Sequence, residues 1–235
     1  FIICFNCEFV TRINPKNKKH MKIRSLITLF LLFSIMAVGQ IKNNGFEDLR
    51  NKTIIHITAD TKDSDFLWIS AQSGWYHVHI NKGIMAHFNS EQAKDFYIPS
   101  DDIHYTYQDK SGVYWLGTAL GGLLKVTLTE DFKIKSVRQF MIKDGLPSNT
   151  IYGIFEDDND FLWMSSNNGI IKFNKKNTEV HSFSMEDGLP HYEFNRGAYF
   201  QRTDGTIFFG GLNGAVSFLF WLLDNKLASI NSTES

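Results

Sequence analysis

Of the eight histidines in this 235-residue sequence, His56, His77, His79, His104, His181 and His191 are spread over its central part and raise the question of chemistry. An imidazole can act as a general acid–base or as a metal ligand. His77 and His79 alternate along one extended segment, so they share a face and would hold a metal if a third ligand joined them. No carboxylate or histidine stands at a fixed spacing to complete such a set, and the histidines read as surface or pocket residues. The acidic stretch Glu156, Asp157, Asp158, Asn159, Asp160 invites a calcium reading, but it lacks the alternation and the glycine of a calcium loop and reads as a hairpin turn. No nucleophile-elbow serine, phosphate-binding glycine loop or H-E-x-x-H motif occurs. These residues predict a protein that is not an enzyme, with no metal and no cofactor.

The elements that must position these residues repeat along the chain. "FLWISAQSG", "YWLGTALGG", "FLWMSSNNG" and "IFFGGLNGA" place Trp68, Trp115, Trp163 and Phe208 in one column, 47, 48 and 45 residues apart. Glycine follows six residues later at Gly74, Gly121, Gly169 and Gly214. Upstream, "TIIHITAD", "DIHYTYQD" and "TIYGIFED" align as a first strand that opens on Ile54, Ile103 and Ile151 and closes on Asp60, Asp109 and Asp157. One unit therefore reads as strand, acidic turn, aromatic-bearing strand, glycine turn, third strand and fourth strand. "DGLP", at Asp144–Pro147 and Asp187–Pro190, connects units. A period near 47 with four strands per unit is that of a β-propeller blade. The predicted fold is all-β, about four four-stranded antiparallel blades of about 47 residues forming a partial propeller. The aromatic column is blade-to-blade packing.

In a propeller the first strand of each blade lines the central channel, so the residues just before it ring one mouth. Here those are Asn51, Asp101, Asp102, Asn149 and Asn195, whose short amides and carboxylates suit sugar hydroxyls, with Tyr105 and Tyr152 as stacking faces. The competing reading gives these polar groups the local work of capping strand ends. In an open arc the first and last blades would each expose an aromatic face meant for a neighbour, which predicts self-association through the terminal blades.

Composition is 43 % hydrophobic and 14 % aromatic with a formal charge of −1, the profile of a packed domain without a nucleic-acid partner. "MKIRSLITLFLLFSIMAVGQ" has the basic start, short apolar run and small residues of a signal peptide at 21–39, with 1–20 an upstream extension. Cys4 and Cys7 fall in that extension and have no second pair to make a zinc site. Removing the six basic residues and the one acidic residue ahead of Gln40 leaves a formal charge of −6 and no cysteine for a disulfide. Repeats then occupy 40–218, and 219–235 is a divergent tail. The expected location is periplasmic or secreted.

"GLPSNTIYGIFEDDNDFLWMSSNNGIIKFN", "YWLGTALGGLLKV" and "DGLPHYEFNRGAYFQRTDGTIFFGGLNGAVSF" resemble the two-component regulator propeller repeat, over about residues 46–218. The resemblance implies the periplasmic sensor region of hybrid two-component histidine kinases of the Bacteroidetes type, where such propellers precede a connector, a membrane helix and a kinase. The expectation is an exported ligand-sensing or binding propeller, a truncated sensor fragment without a kinase domain of its own, taking an oligosaccharide or a protein. A propeller-type lyase and a non-functional gene remnant are the alternatives.

Overall fold

The computed structural model describes residues 45–218, which form fifteen strands and four short three-ten turns. The extension, the signal segment, Cys4, Cys7 and the tail lie outside the described residues. Strands follow one another in antiparallel order within each sheet. The first blade is β1 (Ile54–Ala59), β2 (Phe66–Ala71), β3 (Gly74–His79) and β4 (Gly83–Phe88). The second is β5 (Ile103–Gln108), β6 (Tyr114–Thr118), β7 (Leu123–Leu128) and β8 (Ile134–Phe140). The third is β9 (Ile151–Glu156), β10 (Phe161–Ser166), β11 (Ile170–Asn174) and β12 (Val180–Phe183). The fourth has β13 (Phe194–Gln201), β14 (Ile207–Gly211) and β15 (Gly214–Phe218) among the described residues. The four blades are arranged as a propeller, with β1, β5, β9 and β13 innermost.

Strand sequences explain the layering. A second strand such as "FLWMSS" is apolar on both sides because both faces meet another blade, and every residue of β6 is buried. Three seams result. Trp68, Trp75 and Phe88 of the first blade pack on Ile103, Tyr114, Leu116, Leu124 and Val126 of the second. Trp115, Leu123 and Phe140 pack on Ile154, Leu162, Met164, Ile171 and Phe173 of the third. Phe155, Trp163 and Ile170 meet Phe194, Ile207 and Phe209 of the fourth. In each seam an aromatic face of one blade meets a face of the next, so direction is built into the repeat. Trp68, Trp115 and Trp163 are at most 1 % exposed, which places the column in the seams.

The acids that close the first strands serve the same column. Asp60, Asp109 and Asp157 each accept a hydrogen bond from the indole Nε1 of Trp68, Trp115 and Trp163, at 2.7, 3.0 and 2.8 Å. Their other carboxylate oxygens accept backbone N–H groups of the following turn, from Lys62, from Ser111 and Val113, and from Asn159 and Phe161. One carboxylate thus satisfies a buried indole and folds a turn. In the fourth blade both partners change together. The Phe208 ring has no N–H to donate, and Arg202, at the acid's place six residues before it, pairs with Asp204 at 3.4 Å.

Gly74 and Gly169 take positive φ, and a Cβ there would lie 2.3 and 2.1 Å from the carbonyl oxygens of Phe88 and Phe183 in the fourth strands. In the second blade the glycine in this role is Gly122, at φ +71° and 2.0 Å from Phe140 O, rather than Gly121. The turn there runs one residue longer, so counting from Trp115 lands one position early. The "DGLP" connections work as three-ten turns: Asp144 and Asp187 accept the N–H of Met141 and Ser184, at 2.9 and 2.8 Å, and Gly145 and Gly188 end the turns at left-handed φ.

The two terminal faces differ from each other. The first blade's outward face is mostly aliphatic, with Tyr76 stacked on His87, and Phe46 and Leu49 pack over its Ile69, Ala71, Tyr76 and Val78, leaving Ile57 in the inner strand exposed. Gly45 fastens this segment by accepting the N–H of Ile84 at 3.1 Å. The outward face of β13 and β14 carries Phe200, 62 % exposed, beside Phe208. Among the described residues an aromatic face is therefore open at the fourth blade, whereas the first blade's face is covered by Phe46 and Leu49.

Candidate functional site

The residues before the four inner strands gather at one end of the axis. Two of the predicted ones do local work there. Asp101 accepts the N–H and the hydroxyl of Ser90 at 2.7 and 2.9 Å, and Asn149 accepts the N–H of Ile142 at 2.9 Å. Each fastens a connecting loop, as the capping reading expects. Asn51 sits exposed at φ 63°, and Asn195 is exposed at the start of β13.

Asp102 and Tyr152 belong to a different arrangement, centred on His104, a residue that no column singled out. His104 is 4 % exposed; its ring stacks over Tyr152 with centroids 5.4 Å apart. Its Nδ1 lies 3.1 Å from the carbonyl oxygen of Ile151, which can only accept, so Nδ1 carries the proton. Burial lowers the pKa of His104 against the opposing pull of Asp102. The neutral ring then presents the Nε2 lone pair 3.6 Å from Asp102 Oδ1, an oxygen that has no hydrogen-bond donor of its own. Two acceptors side by side call for a donor from outside. Oδ1 itself is buried, while a third of the Asp102 side chain is exposed, so a ligand reaches this carboxylate from its exposed side. Arg196 and Glu193 add charge: Arg196 acts on His104 and on Tyr152, and Glu193 on Tyr152, whose hydroxyl pKa is raised first of all by burial.

Below this cluster the axis is filled. Tyr105 stacks on His56 at 4.1 Å and meets the edge of Tyr199 at 4.9 Å; His56 and Tyr199 also approach, at 6.2 Å. A Cβ on Gly153 would lie 2.8 Å from the Tyr199 ring, so glycine in β9 makes room for it. Burial lowers His56 to about 4 and raises Tyr199 to about 12, which keeps both neutral. Tyr105 is 9 % exposed and is therefore a packing residue of the axis rather than a stacking face at the mouth.

The remaining histidines and acids separate. His77 is fully buried between Phe66, Trp68 and Phe132, at 4.7, 4.3 and 3.9 Å, with neither ring nitrogen hydrogen-bonded, and burial lowers it to about 4. His79 accepts the N–H of Asn81 at 3.1 Å. In the acidic stretch, Asp157 holds Trp163, Glu156 binds Lys175 at 2.6 Å and Asp160 binds Lys176 at 2.8 Å. Glu156 and Asp160 also share the Lys175 ammonium, at 2.6 and 3.8 Å, so the stretch is neutralised by lysines and Asp157 is kept for the indole.

Residues 145–168 match the family profile described as two component regulator propeller. That match runs from the connection into the third blade through β9 and β10. A histidine kinase, P4 of Formosa agariphila, is 27 % identical over 181 residues, covering 74 % of this chain and 12 % of the kinase. The extracellular domain of BT4673, a proposed hybrid two-component system of B. thetaiotaomicron, superposes with a TM-score of 0.55 at 20 % identity over 70 % of this chain and 22 % of that one. PorZ, a surface component of the type-IX secretion system of Porphyromonas gingivalis, superposes at 0.52 with 14 % identity, over 71 % and 25 %. Likeness at that identity establishes the propeller fold and nothing finer. The chain spans about an eighth of the length of the kinase and under a quarter of BT4673's domain.

Proposed function

We propose that this chain is the ligand-binding part of an exported sensor, without catalysis of its own, and that it reads an oligosaccharide-like ligand at the axis mouth. The observation that carries the reading is the Asp102 carboxylate, whose Oδ1 has no donor and faces the Nε2 of a neutral His104. A sugar hydroxyl donates to the exposed side of that carboxylate, offsetting the charge held against the buried Oδ1, and the half-buried Tyr152 ring offers its apolar face to the pyranose. Arg196 favours sugars that carry a carboxylate or sulfate. A periplasmic or secreted location accords with the extracellular domain it resembles in fold. The kinase activity named for the Formosa relative is that protein's own.

Isothermal titration of the chain with a panel of neutral and acidic glycans tests this. Saturable heat that falls at least about tenfold in affinity in Asp102→Asn and in Tyr152→Ala is expected. Silence across the panel, or binding indifferent to both substitutions, defeats the reading.

A further inference from the structure

The opposite ends of the inner strands carry a second feature, unrelated to the axis mouth. Between the second and third blades, the ammonium of Lys175 sits 2.6 Å from Glu156 Oε1, 3.4 Å from Asp109 Oδ2 and 3.8 Å from Asp160 Oδ1. Burial alone would raise Asp109, but hydrogen bonds from Ser111, Trp115 and Val113 together with this ammonium hold it below the usual carboxylate range. The buried acid that clamps the tryptophan thus has a cation beside it.

Between the first and second blades the clamp is repeated without the cation. Gly122 and Gly169 open the third strands, so Leu128 stands where the third blade has Lys175; by the same alignment Gln108 stands for Glu156. Asp60, 8 % exposed, takes Trp68 Nε1 at 2.7 Å, the Tyr114 hydroxyl at 3.3 Å and the N–H of Lys62 at 2.8 Å. All three donors are neutral, and a carboxylate has about four acceptor positions, so one remains on Oδ1. Beside it is a cavity of about 380 Å3 walled by Phe66, Phe132, Tyr114 and Leu128, with Asp63, Glu130 and Lys62 at its edge. Three carboxylates against one ammonium leave this cavity negative. Its counterpart beside Asp109, about 270 Å3, is lined by Lys110, Lys125, Lys175 and Lys176 against three acids.

We propose that the cavity between the first and second blades binds a small organic ammonium. Its charged head takes the open position on Asp60 Oδ1, because Oδ2, the oxygen that Lys175 reaches on Asp109, is filled here by Trp68 and the Tyr114 hydroxyl, and its alkyl portion lies against Phe66, Phe132 and Leu128. Aromatic walls and a carboxylate together favour an ammonium over a neutral molecule of equal size. A bare metal ion gains little there, since most of the wall offers it no oxygen.

The test follows the indole N–H of Trp68, which shares Asp60 with the ligand, by NMR during titration of the full chain with n-butylammonium chloride. Sodium chloride and n-butanol are the controls for salt and for the apolar tail. A saturable shift with n-butylammonium that neither control produces is expected. Leu128→Lys places an ammonium where the third blade has one and should weaken binding at least about tenfold; Glu130→Gln, at the edge, should weaken it about threefold. No saturable shift, an equal response to n-butanol, or undiminished affinity in both variants overturns the proposal. Unchanged glycan binding in Leu128→Lys keeps this site distinct from the axis mouth.

Discussion

Position 163 and position 208 occupy the same place in the repeat, and their surroundings could hardly differ more. Trp163 is buried in the seam between the third and fourth blades and bonded to Asp157; Phe208 lies on the outward face of the fourth blade beside an exposed Phe200. The ring therefore stabilises the fold only where another blade covers it. Conversely, the first blade shows that a seam can be replaced: Phe46 and Leu49 cover Ile69 and Val78 without a blade behind them.

That contrast is sharpest in a pair of substitutions. Trp163→Ala should cost about 3–5 kcal/mol in urea unfolding, by cavity formation and by stranding the Asp157 carboxylate, whereas Phe208→Ala should stay within about 0.5 kcal/mol. Equal losses at the two positions would mean that the fourth blade's outward face is covered in solution.

A seam can also be tested by acid. His77 is buried there with a pKa lowered to about 4, so the folded chain binds its proton less readily than the unfolded chain, whose histidine titrates near 6.5. A depressed histidine contributes stability that is complete above about 6.5 and is lost as pH falls from 6.5 toward 4, amounting to about 3 kcal/mol at pH 4. His77→Phe should remove its share of this slope and leave the share of His56, which burial also lowers to about 4. A slope undiminished in His77→Phe would assign all of it to other groups.

The smallest effect concerns the cap. Phe46→Ala should cost about 1–2 kcal/mol, because the half-buried ring covers an aliphatic face that water would otherwise reach. Hydrogen exchange should then quicken in β3 and β4 and not in β15. Uniform quickening would show that the four blades unfold as one unit and that the cap has no local role.

Much of the architecture was legible because a blade repeats what it needs. Trp68, Trp115 and Trp163 recur as each seam requires a ring, and Asp60, Asp109 and Asp157 recur as each ring carries an N–H. Their distance in sequence, eight or six residues, hid that they are partners; they read as turn formers alone. Gly122 was missed for Gly121 because one added residue in a turn shifts a count without changing the pattern. The candidate site was less visible. His104 meets Asp102 within its own blade and Tyr152 across a seam, and Arg196 and Glu193 arrive from a fourth strand set some ninety residues away, in a combination that one place in the molecule contains once. A periodic signal reports what all blades share, and a binding site is built from what they do not.

The stacked rings of His56, Tyr105 and Tyr199 make the hub of this propeller solid. Those rings stand between the two ends of the inner strands, so the two ends are separate rooms. A ligand at the mouth and an amine beside Asp60 would each come and go through its own door, and any influence between them has to travel through the seams.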